Sequence, residues 1–349
     1  MKNRYPIHDS EPIDPDELES THILPRSQTI AEFVGEMRET INKLVRDEAS
    51  RGDVKMLNVA LKELRYGLKV FSSYRNRRKV TVFGSARTAP NDPSYQQAVQ
   101  FGQLMAEQGY LTITGAGGGI MEAAHLGAGP DHSLGLNIML PFEQRANKVM
   151  LSASDRLVTL KYFFTRKLMF VKETDAVVLF PGGFGTLDEG FEALTLVQTG
   201  KSHIMPIICV DRPGGSYWKR WQAFVIEELL ANGLISKEDV HLYHVTDSVE
   251  DAVAEVLKFH RVYHSMRYVR GDLLLRLHHK LSERQLAQLR QGYQDIISRG
   301  TIEQTEADPS EANDQSAQHL PRLRFRFDRH GHGRLRQLID EINRMENEL

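Results

Sequence analysis

Residues 179–190 read Leu-Phe-Pro-Gly-Gly-Phe-Gly-Thr-Leu-Asp-Glu-Gly, and their types suit anion binding beside acid–base chemistry. Glycines let a backbone approach a phosphate or sugar, and a carboxylate can take a proton or face a developing positive charge. The apolar run Ala176–Phe180 before them predicts a buried parallel strand, and Phe191–Val197 after them has helical apolar spacing. The motif therefore falls where a strand ends and a helix begins, the place where open α/β sheets bind ligands. A helix N-terminus there offers unpaired N–H groups to an anion. Asp188 and Glu189 also suit the dipole of that helix, which is the bland alternative. Asp188 reads as such a helix-start carboxylate rather than a second catalytic acid.

Two more glycine turns follow apolar runs, Gly84-Ser85-Ala86-Arg87 and Gly115-Ala116-Gly117-Gly118-Gly119. Three such turns on one sheet edge would line a single anion-binding crevice. None ends in Gly-Lys-Ser/Thr, so none is a P-loop. Glu122 stands where a dinucleotide fingerprint needs a small residue after Gly117 and Gly119, which favours a single nucleotide over NAD. Between the second and third turns, Tyr162, Arg166 and Lys167 sit among Phe163, Phe164, Leu168 and Met169. A basic pair in such an apolar stretch faces either a counter-charge or a cavity. An arginine suits bidentate phosphate contact and a lysine a point charge. Glu143, after Leu140-Pro141-Phe142, is placed to accept hydrogen bonds from a base or ribose.

Positioning these residues requires strand–helix alternation, and the chain shows it from Lys79 onward. Strands are expected at 80–83, 110–114, 133–140, 176–180, 204–210 and 240–245. Helices are expected at 94–108, from 120, within 156–172, from 191, at 217–232 and at 249–259. That order predicts a Rossmann-like, doubly wound, mainly parallel sheet over residues 79–261. Residues 1–27 lack periodicity and read as a flexible arm, and 28–78 as two amphipathic helices broken at Arg51-Gly52-Asp53. The cluster Arg75-Asn76-Arg77-Arg78-Lys79 reads as a solvated junction. Residues 262–349 predict a small separate α+β domain of order β-α-β-β-α, with a strand at 268–278, a helix at 282–298 and a polar, disordered linker at 307–318. In its alternating run 322–327, Leu323, Phe325 and Phe327 are assigned to the core. The arginines Arg322, Arg324 and Arg326 are assigned to the solvent face, in preference to a nucleic-acid patch.

Composition bounds the rest. The 349 residues are 41% hydrophobic and 26% charged, ordinary for a globular protein with room for two or three domains. A net charge of −2 argues against bulk binding of nucleic acid or anionic membrane. The single cysteine, Cys209, excludes an internal disulfide and reads as a buried strand residue. The opening Met1-Lys2-Asn3-Arg4-Tyr5-Pro6 lacks the apolar core of a signal peptide, and no apolar run is long enough to span a bilayer, which predicts a cytoplasmic protein.

The stretch Pro181-Gly182-Gly183-Phe184-Gly185-Thr186-Leu187-Asp188-Glu189, with Arg166-Lys167 upstream on a helix, resembles the paired signature of the LOG ("lonely guy") family in its longer bacterial branch. These are cytokinin riboside 5′-monophosphate phosphoribohydrolases, often mislabelled as lysine decarboxylases. The resemblance covers about residues 79–260. It implies a Rossmann-like fold, a homodimer or higher assembly, hydrolysis of the N-glycosidic bond of a nucleoside 5′-monophosphate, and neither metal nor organic cofactor. Carried over, it makes Arg166 and Glu189 the catalytic pair. Lys167, Gly182, Gly183, Gly185, Thr186 and Thr195 would bind the nucleotide, with Glu143 on the ribose or base side. Gly84, Ser85 and Arg87 would form the first phosphate-side loop, and Gly117, Gly118, Gly119 and Met121 the second. Two other readings compete: a carrier of the same fold that holds a nucleotide without cleaving it, and a pyridoxal phosphate enzyme using Lys167 as its Schiff base.

Overall fold

The computed structural model describes residues 29–140, 145–308, 311 and 315–345. The chain divides into two units, Met1–Val59 and Ala60–Leu349. The first contains helix α1 (Ile30–Arg46), whose Thr29 and Glu32 form a capping box. No residue of α1 is buried, so its apolar stripe of Phe33, Met37 and Ile41 is exposed. Helix α2 (Arg51–Ser72) crosses the unit boundary. Arg51-Gly52-Asp53 is its first turn and not the expected break. The break is Asp47–Ser50, where Glu48 takes a positive φ and the Ser50 hydroxyl caps the Asp53 N–H. The arm expected at 1–27 lies outside the described residues.

Seven parallel strands form the main sheet: β1 (Lys79–Phe83), β2 (Leu111–Thr114), β3 (Ser133–Ile138), β4 (Leu157–Leu160), β5 (Ala176–Leu179), β6 (Ile207–Val210) and β7 (His244–Thr246). Their order is β4-β3-β2-β1-β5-β6-β7. The chain winds outward from β1 to one edge and then from β5 to the other, so the fold is Rossmann-like and the crevice falls at β1 and β5. The helices between them are α3 (Pro93–Glu107), α4 (Ile120–Ala128), α5 (Lys148–Ser152), α6 (Phe163–Glu173), α7 (Phe184–Gln198), α8 (Tyr217–Phe224) and α9 (Val249–Phe259). Strands β2, β3, β5 and β6 are buried along their whole length, including Cys209 in β6. Strand β4 was not expected: the span 156–172 holds this edge strand before its helix begins at Phe163.

A second, antiparallel sheet of order β10-β11-β9-β8 follows: β8 (Tyr263–Val269), β9 (Asp272–Leu277), β10 (Ile297–Thr305) and β11 (Arg322–Phe327). It carries helices α10 (Glu283–Gly292) and α11 (His332–Arg344). The single strand expected at 268–278 is instead the hairpin β8–β9. It turns at Arg270 and Gly271, which take φ of 51° and 81° as such a hairpin turn requires. One core joins the two sheets, with Leu179, Cys209 and Phe259 packed together with Leu275, Phe325 and Ile339.

Leu323, Phe325 and Phe327 are buried as expected, whereas Arg322 is not on the solvent face. Arg322 and Arg276 are buried around Glu311, with Arg322 Nε at 3.2 Å and Arg276 Nε at 3.0 Å. Glu311 lies in the segment read as a disordered linker; as the buried counter-charge of two arginines it is held in place. Arg324 pairs with Asp272, Arg334 with Asp295, and Arg336 with Glu255 and Asp340. The basic cluster is thus largely neutralised from within. Among the described residues no helix is long and apolar enough to cross a membrane.

Candidate active site

The C-terminal ends of β1, β2 and β5 open into a cavity of about 800 Å3. Strand β5 runs through Phe180 into Pro181 and the glycine motif, and α7 starts at Phe184 with Gly183 as its N-cap. Gly183 has no side chain to cap the first turn, which leaves N–H groups open to an anion. A Cβ on Gly183 or Gly185 would meet nothing within 4 Å. These two glycines therefore expose backbone to the cavity, whose lining they share with Gly182, Thr186 and Glu189.

Gly182 is different: a Cβ there would strike the Thr186 hydroxyl and lie 3.0 Å from the Ser85 nitrogen. The first and third glycine turns are stitched together at this point. The Ser85 N–H donates to the Pro181 carbonyl at 3.1 Å, and the Ser85 carbonyl accepts from the Ile120 N–H at 3.1 Å. Gly84, Ser85, Arg87, Gly115 and Met121 also line the cavity.

Gly117, Gly118 and Gly119 do not line it, contrary to the expectation for the second turn. Gly119, at φ 62°, packs its Cα against the backbone of Ser85 and Ala86 so closely that any Cβ would collide. These glycines bring loop to loop rather than loop to ligand. The Gly117 carbonyl accepts from buried Asn147 at 3.0 Å, and Asn147 also contacts His125 Nδ1 at 3.2 Å. Burial lowers the His125 pKa to about 4, so its imidazole is neutral and Nε2–H donates to the Leu134 carbonyl at 3.1 Å. Asn147 and His125 went unnoticed in the sequence because no spacing links them to the loop.

Helix α6 brings Arg166 to the cavity from the other side. Its Nη2 lies 3.8 Å from Glu189 Oε1, and Lys167 Nζ lies 3.7 Å from Glu189 Oε2. Lys167 does not line the cavity. It is held by Glu192 at 2.7 Å and Asp188 at 2.9 Å, and although burial opposes its charge, these carboxylates raise its pKa overall. A lysine held as an ammonium outside the cavity lining is a poor Schiff-base nucleophile, which weighs against the pyridoxal reading. Arg166 rests on the rings of Phe163 at 4.9 Å and Phe170 at 5.7 Å, and its buried Nε has no hydrogen-bond partner. Burial lowers its pKa, partly offset by Glu189.

Glu189 is 6% exposed. Burial pushes its pKa up to about 7, against the pull of Lys167 and Arg166 and with a further push from Glu192 and Asp188. A carboxyl group poised near neutrality beside a cation and a glycine-lined helix start is suited to take or hold a proton in a reaction.

Thr195 lies outside the cavity lining; its hydroxyl donates to the Phe191 carbonyl at 2.7 Å within α7. Glu143 lies outside the described residues. Two supports were not foreseen. Glu63 of α2 accepts from the Lys161 N–H at 2.6 Å and the Thr165 hydroxyl at 2.7 Å, fixing the start of α6. Tyr217 donates its hydroxyl to the Gly182 carbonyl at 2.7 Å from across the β6–α8 connection. Tyr217→Phe should leave that carbonyl short of a donor, lowering stability by ~1 kcal/mol. Thermal melts check this, and an unchanged melting temperature would show that Tyr217 does not steady the motif.

Fold and site together define an open α/β protein with a glycine-lined crevice and an arginine–glutamate pair in it. A family model described as "Possible lysine decarboxylase" matches residues 118–256. A cytokinin riboside 5′-monophosphate phosphoribohydrolase of Mycobacterium tuberculosis is 29% identical over 163 residues, 45% of this chain and 81% of that protein. A probable enzyme of the same name from rice is 29% identical over 166 residues, 46% of this chain and 63% of that one. Among solved structures, a molybdenum cofactor binding protein of Rippkaea orientalis aligns at 21% identity with a TM-score of 0.38, over 52% of this chain and 96% of that chain. Across this region the chain is similar to the LOG family of phosphoribohydrolases.

Proposed function

We propose that the protein hydrolyses the N-glycosidic bond of a nucleoside 5′-monophosphate, of the AMP or cytokinin riboside monophosphate type, to free base and ribose 5-phosphate. The observation that carries this reading is Glu189, buried beside Arg166 on the wall of a cavity whose opposite turns are glycine backbone. The names of the bacterial and rice relatives support it. The 5′-phosphate sits at the α7 N-terminus, where Gly183 and Gly185 allow close approach, and Arg166 adds a second anchor. Phosphate binding energy then fixes the ribose against Glu189. As the C1′–N bond breaks, its electron pair leaves with the base and the sugar gains oxocarbenium character. The Glu189 carboxylate faces that charge and takes one proton of the water whose oxygen bonds to C1′; the departing base takes up a proton from solvent, and Glu189 returns its own to solvent, so the products are neutral base and ribose 5-phosphate.

Incubation with AMP should release adenine, and adenosine should be at least ~tenfold poorer in kcat/KM because it lacks the anchor. Binding of AMP with no adenine released would instead mark a carrier. Because Glu189 titrates near 7 and must be ionised to act as base, kcat/KM should climb as pH rises toward that value and level off above it. A rate that falls over the same interval would make Glu189 an acid and overturn its assigned role.

A further inference from the structure

The Arg75–Lys79 cluster, read from sequence as a solvated junction, lines a second cavity of about 440 Å3. It lies at the opposite edge of the main sheet from the active site, where β1 and β5 begin. Lys172 and Glu173, at the end of α6, form another part of its wall, and His264 and Ser265 of β8 close it from the second sheet. Its lining carries five arginine and lysine side chains against two carboxylates, Glu173 and Asp175.

Both carboxylates are already engaged. Asp175 pairs with Arg78 at 2.7 Å and accepts from the Lys79 N–H at 2.9 Å. Glu173 pairs with Lys172 at 2.6 Å and stands 4.0 Å from the Lys79 ammonium. Lys79 is 5% exposed, and its ammonium hydrogen-bonds the Arg77 carbonyl at 3.0 Å, which uses one of its three N–H donors. Burial lowers its pKa, the mark of a charge short of compensation. Among the described residues, neither Arg75 nor Arg77 has a carboxylate within ion-pair distance; Arg77 donates to the Gly109 carbonyl at 3.2 Å. Surplus positive charge in a recess, with a buried ammonium only partly satisfied, calls for an anion.

We propose that this cavity is a second anion site, taking the phosphate groups of a small phosphorylated metabolite. Its volume falls in the ~300–1,000 Å3 range of small-molecule sites and exceeds the needs of one inorganic phosphate. A recess closed by the second sheet suits a small molecule better than a nucleic-acid strand. Helix α6 joins the two sites, with Arg166 and Lys167 near one end and Lys172 and Glu173 at the other. Strand β1 likewise runs from Lys79 to the Gly84 turn, and β5 connects Asp175 to Pro181. A ligand at the back thus bears on the elements that position the front. The assignment of the back site does not depend on what the front site cleaves.

The test is calorimetric titration of the full chain with inorganic pyrophosphate, in three proteins: unmodified, Arg75→Ser/Arg77→Ser, and Arg166→Gln/Lys167→Gln. The expected result is at least tenfold weaker binding in the first double variant and binding within about twofold of the unmodified protein in the second. Arg75 and Arg77 lie at exposed and half-buried positions, so the fold should survive their loss. Arg75→Ser alone serves where the double variant melts early. Three results would overturn the proposal: no binding at ~1 mM pyrophosphate, binding indifferent to Arg75 and Arg77, or binding abolished by the Arg166 and Lys167 changes.

Discussion

Glu189→Gln is expected to lower kcat for base release by ~10³-fold while nucleotide affinity stays within ~threefold of the unmodified protein. The amide keeps the shape of the side chain but neither takes a proton nor carries the charge that faces the sugar in the proposed reaction. The same change should make the protein more stable at pH 8. In the folded chain burial holds the Glu189 pKa at about 7, above its ordinary 4.5. Between those values the folded state binds a proton that the unfolded state has released, so stability falls as pH rises through this window and stays lower above it. A neutral amide escapes that loss. The gain at pH 8 is bounded at ~3 kcal/mol by the size of the shift, less what Arg166 and Lys167 lose with their partner. At pH 4 the carboxyl is mostly protonated in both states and most of the gain disappears. Melting curves at the two pH values, read beside adenine release, separate the claims. Full turnover by the variant would sink the catalytic assignment, and equal melting temperatures at pH 8 would sink the buried-carboxylate account.

Much of the scaffold was legible because strands buried on both faces appear as unbroken apolar runs. Ala176–Leu179 and Ile207–Val210 are such strands. Strand β4 was not legible. It is an edge strand of four residues, and Leu157-Val158-Thr159-Leu160 runs straight into the apolar face of α6. The β8–β9 turn was hidden for a different reason: Arg270 occupies a positive-φ position where asparagine or aspartate would have signalled a hairpin.

Within the site, Arg166 and Glu189 meet as the two motifs predicted. The meaning of each glycine, however, depends on what its missing Cβ would strike. Gly119 and Gly183 look alike in sequence, yet one admits a neighbouring loop and the other opens onto the cavity. Tyr217 left no local signal at all, standing 35 residues from the carbonyl it holds. Arg322 was misread because strand alternation says which face a side chain takes. It does not say whether a carboxylate such as Glu311 waits there.

That difference among glycines yields the second large effect. Gly182→Ala should cut kcat/KM at least ~100-fold, because the new methyl has no room. It would drive the Thr186 hydroxyl aside or push the motif off Ser85, breaking the 3.1 Å bond from Ser85 N–H to Pro181 that joins the first and third turns. Its melting temperature should fall as well. Gly185→Ala should behave in the opposite way toward the fold. Gly185 lies in the first turn of α7 with open space at its Cβ position, so alanine stiffens the helix and adds up to ~1 kcal/mol of stability. Yet the same methyl would stand in the cavity where the proposed mode of binding brings the phosphate, and on that reading KM for the nucleotide should rise at least ~tenfold. The pair is diagnostic because stability and activity move together in Gly182→Ala and apart in Gly185→Ala. A Gly185→Ala protein that is both more stable and fully active would mean that the phosphate does not sit at the start of α7, and the anchoring geometry would have to be redrawn.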